Sequence, residues 1–282
     1  MTYDTRLTPA RPDLAAEHLK DMVQADAYAP GKRMQVTRSF VDVKRAPDEN
    51  APTDTQALFG ETLIVYEQKN GWCWGQLDRD RYVGYIDETA LSENTVKPNY
   101  RVRTRHTIVY SQPDMKSAPI DALPFGAEVH VVSATSEFSQ LQDGGHVFSR
   151  HIAPNTRPAS DFVGLAEMFL HTPYLWGGKT DMGIDCSGLV QVTLNAIGVA
   201  APRDTDLMET MLGRHADVDD RMRNLRRGDL IFWRGHVAIM ASEQTIIHAT
   251  AYSMTVMTEP LQTARDRIRS KNFSEVTAVR RV

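Results

Sequence analysis

Cys186 is the residue of this sequence best placed to do chemistry. It stands in Ile184-Asp185-Cys186-Ser187-Gly188-Leu189-Val190, where a polar loop gives way to a run, residues 189–197, that is largely apolar on all sides and stops at Gly198. Asp185 and Ser187 both favour a helix start, so the pattern predicts a buried helix beginning at the cysteine. At such a position backbone N–H groups and the positive end of the helix dipole stabilise a thiolate, and a neighbouring imidazolium would stabilise it further. Cys186 is therefore predicted to be a nucleophile.

A thiol nucleophile needs a base, and the base needs an orienting partner. Of the nine histidines, His236 opens an apolar strand after Arg234-Gly235, and His248 lies in the next one, Ile246-Ile247-His248-Ala249. If the two strands form a hairpin, an even pairing register puts both imidazoles on one face, and 236 plus 248 is even. Direct pairing of the two would leave residues 241–243 as the loop. His146, His151, His171 and His215 have no ligand partners at metal spacing, so no metal site is expected, and no phosphate-binding glycine loop is visible. Cys73, between Trp72 and Trp74 in a strand pattern, points to the opposite face from both tryptophans and is read as structural.

The elements that must position these residues follow from periodicity. Leu14, Ala15, Leu19, Met22 and Val23 recur at helical spacing and predict an N-terminal helical arm over 1–28. Short alternating runs then predict two small β domains, 29–92 and 93–157, each too short for a sandwich but long enough for a small barrel. A Pro-bearing linker around 154–158 precedes a helical pattern at 161–171, which opens a third domain, 158–282. Met208, Met211 and Leu212 predict a further short helix.

At 282 residues the chain is long enough for two or three domains, and its 41% hydrophobic and 24% charged residues are those of an ordinary globular protein. With 32 basic against 36 acidic residues, nucleic acid is a poor partner. No stretch approaches the roughly 18 apolar residues of a membrane span, so no membrane partner is expected, and the N-terminus shows no signal-peptide core. Two cysteines cannot build a disulfide framework. These readings fit a cytoplasmic protein that needs no cofactor.

The rhythm of Gly71-Trp72-Cys73-Trp74-Gly75-Gln76-Leu77 followed by Tyr82-Val83-Gly84-Tyr85-Ile86 resembles bacterial SH3-like domains. From residue 161 to the C-terminus the chain resembles the NlpC-type family of papain-like cysteine peptidases, which cut peptidoglycan peptides. The resemblance rests on Pro173-Tyr174-Leu175-Trp176-Gly177-Gly178, Asp185-Cys186-Ser187-Gly188, Pro202-Arg203, Gly228-Asp229-Leu230, His236 opening a strand, and His248-Ala249, in that order. It implies a multidomain protein: two small all-β SH3-like barrels followed by an α+β papain-like peptidase domain.

Carried over residue by residue, the resemblance makes Cys186 the nucleophile, His236 the general base and acid, and His248 the residue that orients His236. Tyr174 would border the oxyanion site. The order of domains looks like the family's dipeptidyl-peptidases, which cut the γ-D-glutamyl bond to a diamino acid in murein-derived peptides with a free N-terminal L-Ala. By that resemblance Asp185 and Ser187 help bind the amine, with Glu61 and Tyr82 contributing from the first SH3-like domain. Two rivals are a cell-wall endopeptidase or amidase working on polymeric peptidoglycan, and an inactive wall-peptide binding module.

Overall fold

The computed structural model describes residues 3–219, 222–272 and 274–282, with the backbone alone at Asn272. The chain divides into two compact units, Met1–Arg157 and Pro158–Val282.

The N-terminal unit is built almost wholly of antiparallel strands. A seven-stranded sheet runs Thr53–Leu58, Phe40–Lys44, Val83–Asp87, Trp72–Leu77, Thr62–Lys69, Lys32–Val36, Leu91–Ser92. Its alternate residues, among them Val41, Val43, Leu63, Val65, Cys73, Leu77 and Ile86, close one core, and Cys73 is a free, fully buried thiol within it. Lys32–Val36 and Phe40–Lys44, only three residues apart in the chain, lie at different places in the sheet. The polar strand Thr53–Leu58 carries no clear alternation and escaped the pattern. A second core gathers Val102, Val109, Leu123, Val129, Leu141, Val147 and Ile152 between a five-stranded and a three-stranded sheet formed within 100–154.

The N-terminal arm is not the helix its spacing suggested. Leu14–Ala16 pairs in parallel with Ala27–Ala29, and only Glu17–Leu19 turns, as a single 3-10 turn. Asp21 takes a left-handed φ of 73°, which ends any helix there. Ala15, Ala16 and Leu19 are buried in a small cluster of their own, whereas Met22 is exposed. Arg11 anchors the arm, with its guanidinium 4.3 Å from the Trp74 ring centroid and 2.9 Å from a Glu67 carboxylate oxygen. Met1 and Thr2 of the expected arm lie outside the described residues.

The C-terminal unit carries four helices among its described residues: α1 (Phe162–Glu167), α2 (Cys186–Ala196), α3 (Thr205–Met211) and α4 (Leu261–Asn272). Its sheet runs Arg214–His215, Val276–Arg281, Asp229–Trp233, His236–Met240, Thr245–Thr250, Thr255–Pro260, with every neighbouring pair antiparallel. All five residues of Asp229–Trp233 are buried, so both faces of the central strands are covered. On one face Ile231, Trp233, Ala238, Met240 and Ile246 pack with Leu261, Ala264 and Ile268 of α4. α2 packs against the strands His236–Met240 and Thr245–Thr250.

Local chemistry fixes where each helix begins. Asp161 caps α1 by accepting from the Val163 and Gly164 N–H groups, both at 3.1 Å. Asp185 caps α2 by accepting from Gly188 N at 2.7 Å, and Gly198 closes that helix at φ +87°. The buried carboxylate of Asp229 ties the strand it opens to the C-terminal strand through Arg281, at 2.7 and 2.6 Å.

Gly188 lies so close to the Gly178 carbonyl that an added Cβ would stand 2.2 Å from that oxygen, a backbone atom with little room to yield. Gly188→Ala is predicted to push the start of α2 off the Gly178 loop. It should lower unfolding stability by about 1–3 kcal/mol, the usual cost of overpacking, read from denaturant midpoints, and should reduce activity with it.

Candidate active site

Cys186 is the first residue of α2, where the sequence placed it, and is 6% exposed. The helix start is held by the Asp185 carboxylate. One oxygen accepts from Gly188 N and, at 3.3 Å, from the Ser187 hydroxyl; the other accepts from Gly177 N at 2.8 Å and from Arg203 Nη2 at 2.6 Å. Arg203, 1% exposed, gives a second bond of 2.6 Å to Ser187 Oγ. A carboxylate offers about four acceptor positions, and those of Asp185 are taken. Its role in this structure, and that of Ser187, is to fix the nucleophile's backbone.

Tyr174 comes to the same place by backbone pairing. Tyr174 N donates to Met254 O at 2.9 Å, Ile184 N donates to Pro173 O at 3.0 Å, and Asp185 N donates to Gly178 O at 3.3 Å. The segment carrying Tyr174, Gly177 and Gly178 is thus laced to both the edge strand and the residues leading into α2. Burial, with Cys186 and Asp185 as electrostatic neighbours, pushes the Tyr174 phenol well above its usual range, so it is a protonated donor.

His236 opens its strand half-buried against Trp233, with the ring centroids 5.7 Å apart. The Val237 N–H, one residue on, is a hydrogen-bond donor to the Cys186 sulfur. His236 Nε2 lies 2.9 Å from Nδ1 of His248, itself 1% exposed. The even register put both rings on one face, but the pairing is not direct. Ile239 pairs with Ile247 and Met240 with Ile246, a shift of two residues from direct pairing, so the imidazoles meet diagonally and the loop is longer than expected.

The structure also brings in residues to which the sequence reading gave no role. Glu259 Oε1 lies 2.9 Å from His248 Nε2, and Arg267 of α4 holds the same carboxylate through Nη1 at 2.6 Å and through Nη2. Pairing of Ile246 with Glu259 sets that glutamate on the face of His248. The even-sum rule that joined the two histidines would have missed it, because 248 plus 259 is odd and this hairpin pairs in an odd register. Arg203 was visible only as part of Pro202-Arg203.

Glu61 and Tyr82 belong to the N-terminal unit. Glu61 is buried there, 2.9 Å from Arg79 Nε, while Arg79 also meets Glu128 at 2.9 Å. Tyr82 is packed in the core of the seven-stranded sheet.

Electrostatics set the resting protonation state. Burial, reinforced by the Asp185 charge, pushes the Cys186 thiol up to about 12, against the opposing pull of Arg203 and of the Val237 and Ser187 N–H groups. Burial, with the Arg267 charge adding to it, pushes the His236 imidazole down to about 3. The unliganded pair is therefore neutral, thiol and imidazole, and proton transfer accompanies attack on a substrate. As the first residue of a helix, Cys186 also has an N–H without an intrahelical acceptor, and the Tyr174 phenol is an electrostatic neighbour of the thiol.

Residues 171–272 match the NlpC/P60 family model, and residues 43–91 match a bacterial dipeptidyl-peptidase Sh3 domain. The chain carries an NlpC/P60 domain. It is a cysteine peptidase, with an SH3-like domain ahead of the NlpC/P60 domain. It is 26% identical over 257 residues to Dipeptidyl-peptidase 6 of Lysinibacillus sphaericus, a match covering 83% of this chain and 93% of the relative. It is 28% identical over 242 residues to the Gamma-D-glutamyl-L-lysine dipeptidyl-peptidase of Bacillus cereus, covering 74% and 71%. In fold it is similar to the crystal structure of an NlpC/P60 protein from Bacillus cereus, with a TM-score of 0.74 at 21% identity over 89% of this chain and 99% of that one.

The neutral resting pair makes a prediction for this NlpC/P60 centre. Only the thiolate reacts with iodoacetamide, so alkylation of Cys186, followed on its own tryptic peptide, should rise about tenfold per pH unit between pH 6 and 9. A fast rate already level at pH 5 would show a preformed thiolate–imidazolium pair instead.

Proposed function

We propose that this NlpC/P60 enzyme is a dipeptidyl-peptidase that cleaves the γ-D-glutamyl bond to a diamino acid in short murein peptides, releasing L-Ala-D-Glu from a free N-terminus. The observation that carries this reading is the extent of the kinship. The dipeptidyl-peptidases from Lysinibacillus sphaericus and Bacillus cereus run alongside 83% and 74% of the chain, well beyond the peptidase domain alone, and residues 43–91 match the Sh3 domain described for bacterial dipeptidyl-peptidases. We further take the strands within 100–154 as a second SH3-like barrel, a reading supported by their closed core of alternating residues. The reading places the enzyme on released wall fragments in the cytoplasm.

The chemistry follows from the site. His236 accepts the Cys186 proton as Sγ bonds to the γ-carbonyl carbon of the substrate. The oxyanion is held by the Cys186 N–H and the Tyr174 hydroxyl, at the position where charge develops. His236 then gives its proton to the departing amine as the C–N bond breaks, leaving a thioester. Water, deprotonated by His236, attacks the thioester and frees the thiol.

The test compares L-Ala-γ-D-Glu-L-Lys and its meso-diaminopimelate counterpart, each with a free and an acetylated N-terminus, by mass spectrometry of the products. Release of L-Ala-D-Glu from the free-amine peptides alone, lost in Cys186→Ala, is the expected outcome. Equal cleavage of the acetylated peptides would favour an endopeptidase acting on polymeric wall, and cleavage of none would overturn the substrate assignment.

A further inference from the structure

The catalytic histidine sits at one end of a chain of hydrogen bonds that continues past His248 to the edge strand and α4. His236 Nε2 meets His248 Nδ1 at 2.9 Å, His248 Nε2 meets Glu259 Oε1 at 2.9 Å, and Arg267 grips both oxygens of Glu259. The Arg267 guanidinium in turn lies 4.2 Å from the ring centroid of Tyr252. The glutamate is 7% exposed on an edge strand whose adjacent residues Thr258 and Pro260 face solvent. A carboxylate drawn inward there, with an arginine to match it, is a costly arrangement unless it orders something.

Each bond in this chain needs one donor and one acceptor. Although burial opposes ionisation, the hydrogen bonds from Arg267 and His248 hold Glu259 down to about 2, so it is a carboxylate that can only accept. His248 Nε2 must then carry a proton. We take His248 as the neutral imidazole, whose one N–H is then on Nε2 and whose Nδ1 accepts. The atom facing it, His236 Nε2, must therefore be the donor, and His236 Nδ1 is left bare. The other tautomer of His236 would set two lone pairs against each other at 2.9 Å.

We propose that Glu259, clamped by Arg267, is a positioning residue for catalysis: through His248 it selects the His236 tautomer whose Nδ1 is free to take the Cys186 proton. When His236 is doubly protonated in turnover, Nε2–H still donates to His248, so no proton needs to travel along the chain. Arg267 balances the charge of Glu259, which makes the effect one of orientation more than of field. The role is that of the buried aspartate in a serine-protease triad, moved one imidazole further back.

The proposal rests on the peptidase reading, but its main test does not use substrate. Long-range proton–nitrogen NMR of the imidazoles in the folded protein near pH 7.5 should show His236 protonated on Nε2 and His248 also on Nε2. A wild-type His236 protonated on Nδ1 overturns the proposal outright, whatever the variants do. In Glu259→Gln, which keeps the shape but can donate to His248, His236 should populate both tautomers. Its kcat should fall roughly 10- to 100-fold, the range typical of lost outer partners, with KM held within about twofold. An unchanged tautomer in that variant, with or without lost activity, would leave Glu259 a purely structural residue. Failure of the peptides to react at all would count against the proposed substrate and leave the tautomer result standing.

Discussion

The catalytic centre depends first on one buried carboxylate. Asp185 receives the Gly188 N–H that starts α2, the Gly177 N–H from the loop that carries Tyr174, and the Arg203 guanidinium from the segment after the helix. Three pieces of chain that the sequence keeps apart are thereby fixed around the first residue of the helix, which is Cys186. The ion pair with Arg203 is almost wholly dehydrated, and such a pair adds little net stability against a well-packed apolar substitute. What it supplies is geometry: the carboxylate has donors on both oxygens, and they arrive from directions that only this arrangement of the loops satisfies.

The histidine side of the site repeats the device. Glu259 and Arg267 stand behind His248 as Asp185 and Arg203 stand behind Cys186, one carboxylate–arginine pair for each reacting partner. The sheet supplies the rest. His236 is at the beginning of its strand, next to the N–H that meets the nucleophile's sulfur, and His248 and Glu259 follow on the neighbouring strands at diagonal positions of one face. Because side chains alternate with period two, a slip of one residue in either pairing would turn an imidazole to the other face. Asp229–Trp233 is buried throughout, and Thr245–Thr250 in all but Thr245.

Much of this was legible in the sequence where the signal is local. The start of α2 followed from Asp185, Ser187 and the apolar run to Gly198, and the shared face of His236 and His248 followed from counting by twos. The two-residue offset between those histidines was not legible, since it depends on how many residues the hairpin loop consumes, and residues 241–245 give no decisive turn signal. The arm at 1–28 misled because Leu14, Leu19 and Val23 keep helical spacing while Asp21 breaks the backbone between them. Glu259 and Arg267 were silent for another reason. They meet only when α4 folds back over the strand that precedes it, and each alone reads as an ordinary surface charge.

The central claim is that Cys186 is the nucleophile of a covalent mechanism, and the most direct measurement is to catch the intermediate. Acid-quenching the enzyme within its first turnovers of L-Ala-γ-D-Glu-L-Lys and mapping its tryptic peptides by mass spectrometry should find the L-Ala-γ-D-Glu acyl group as a thioester on the peptide containing Cys186, and on no other. Continued hydrolysis by a Cys186→Ala variant, or an acyl group carried by a different residue, would contradict the account.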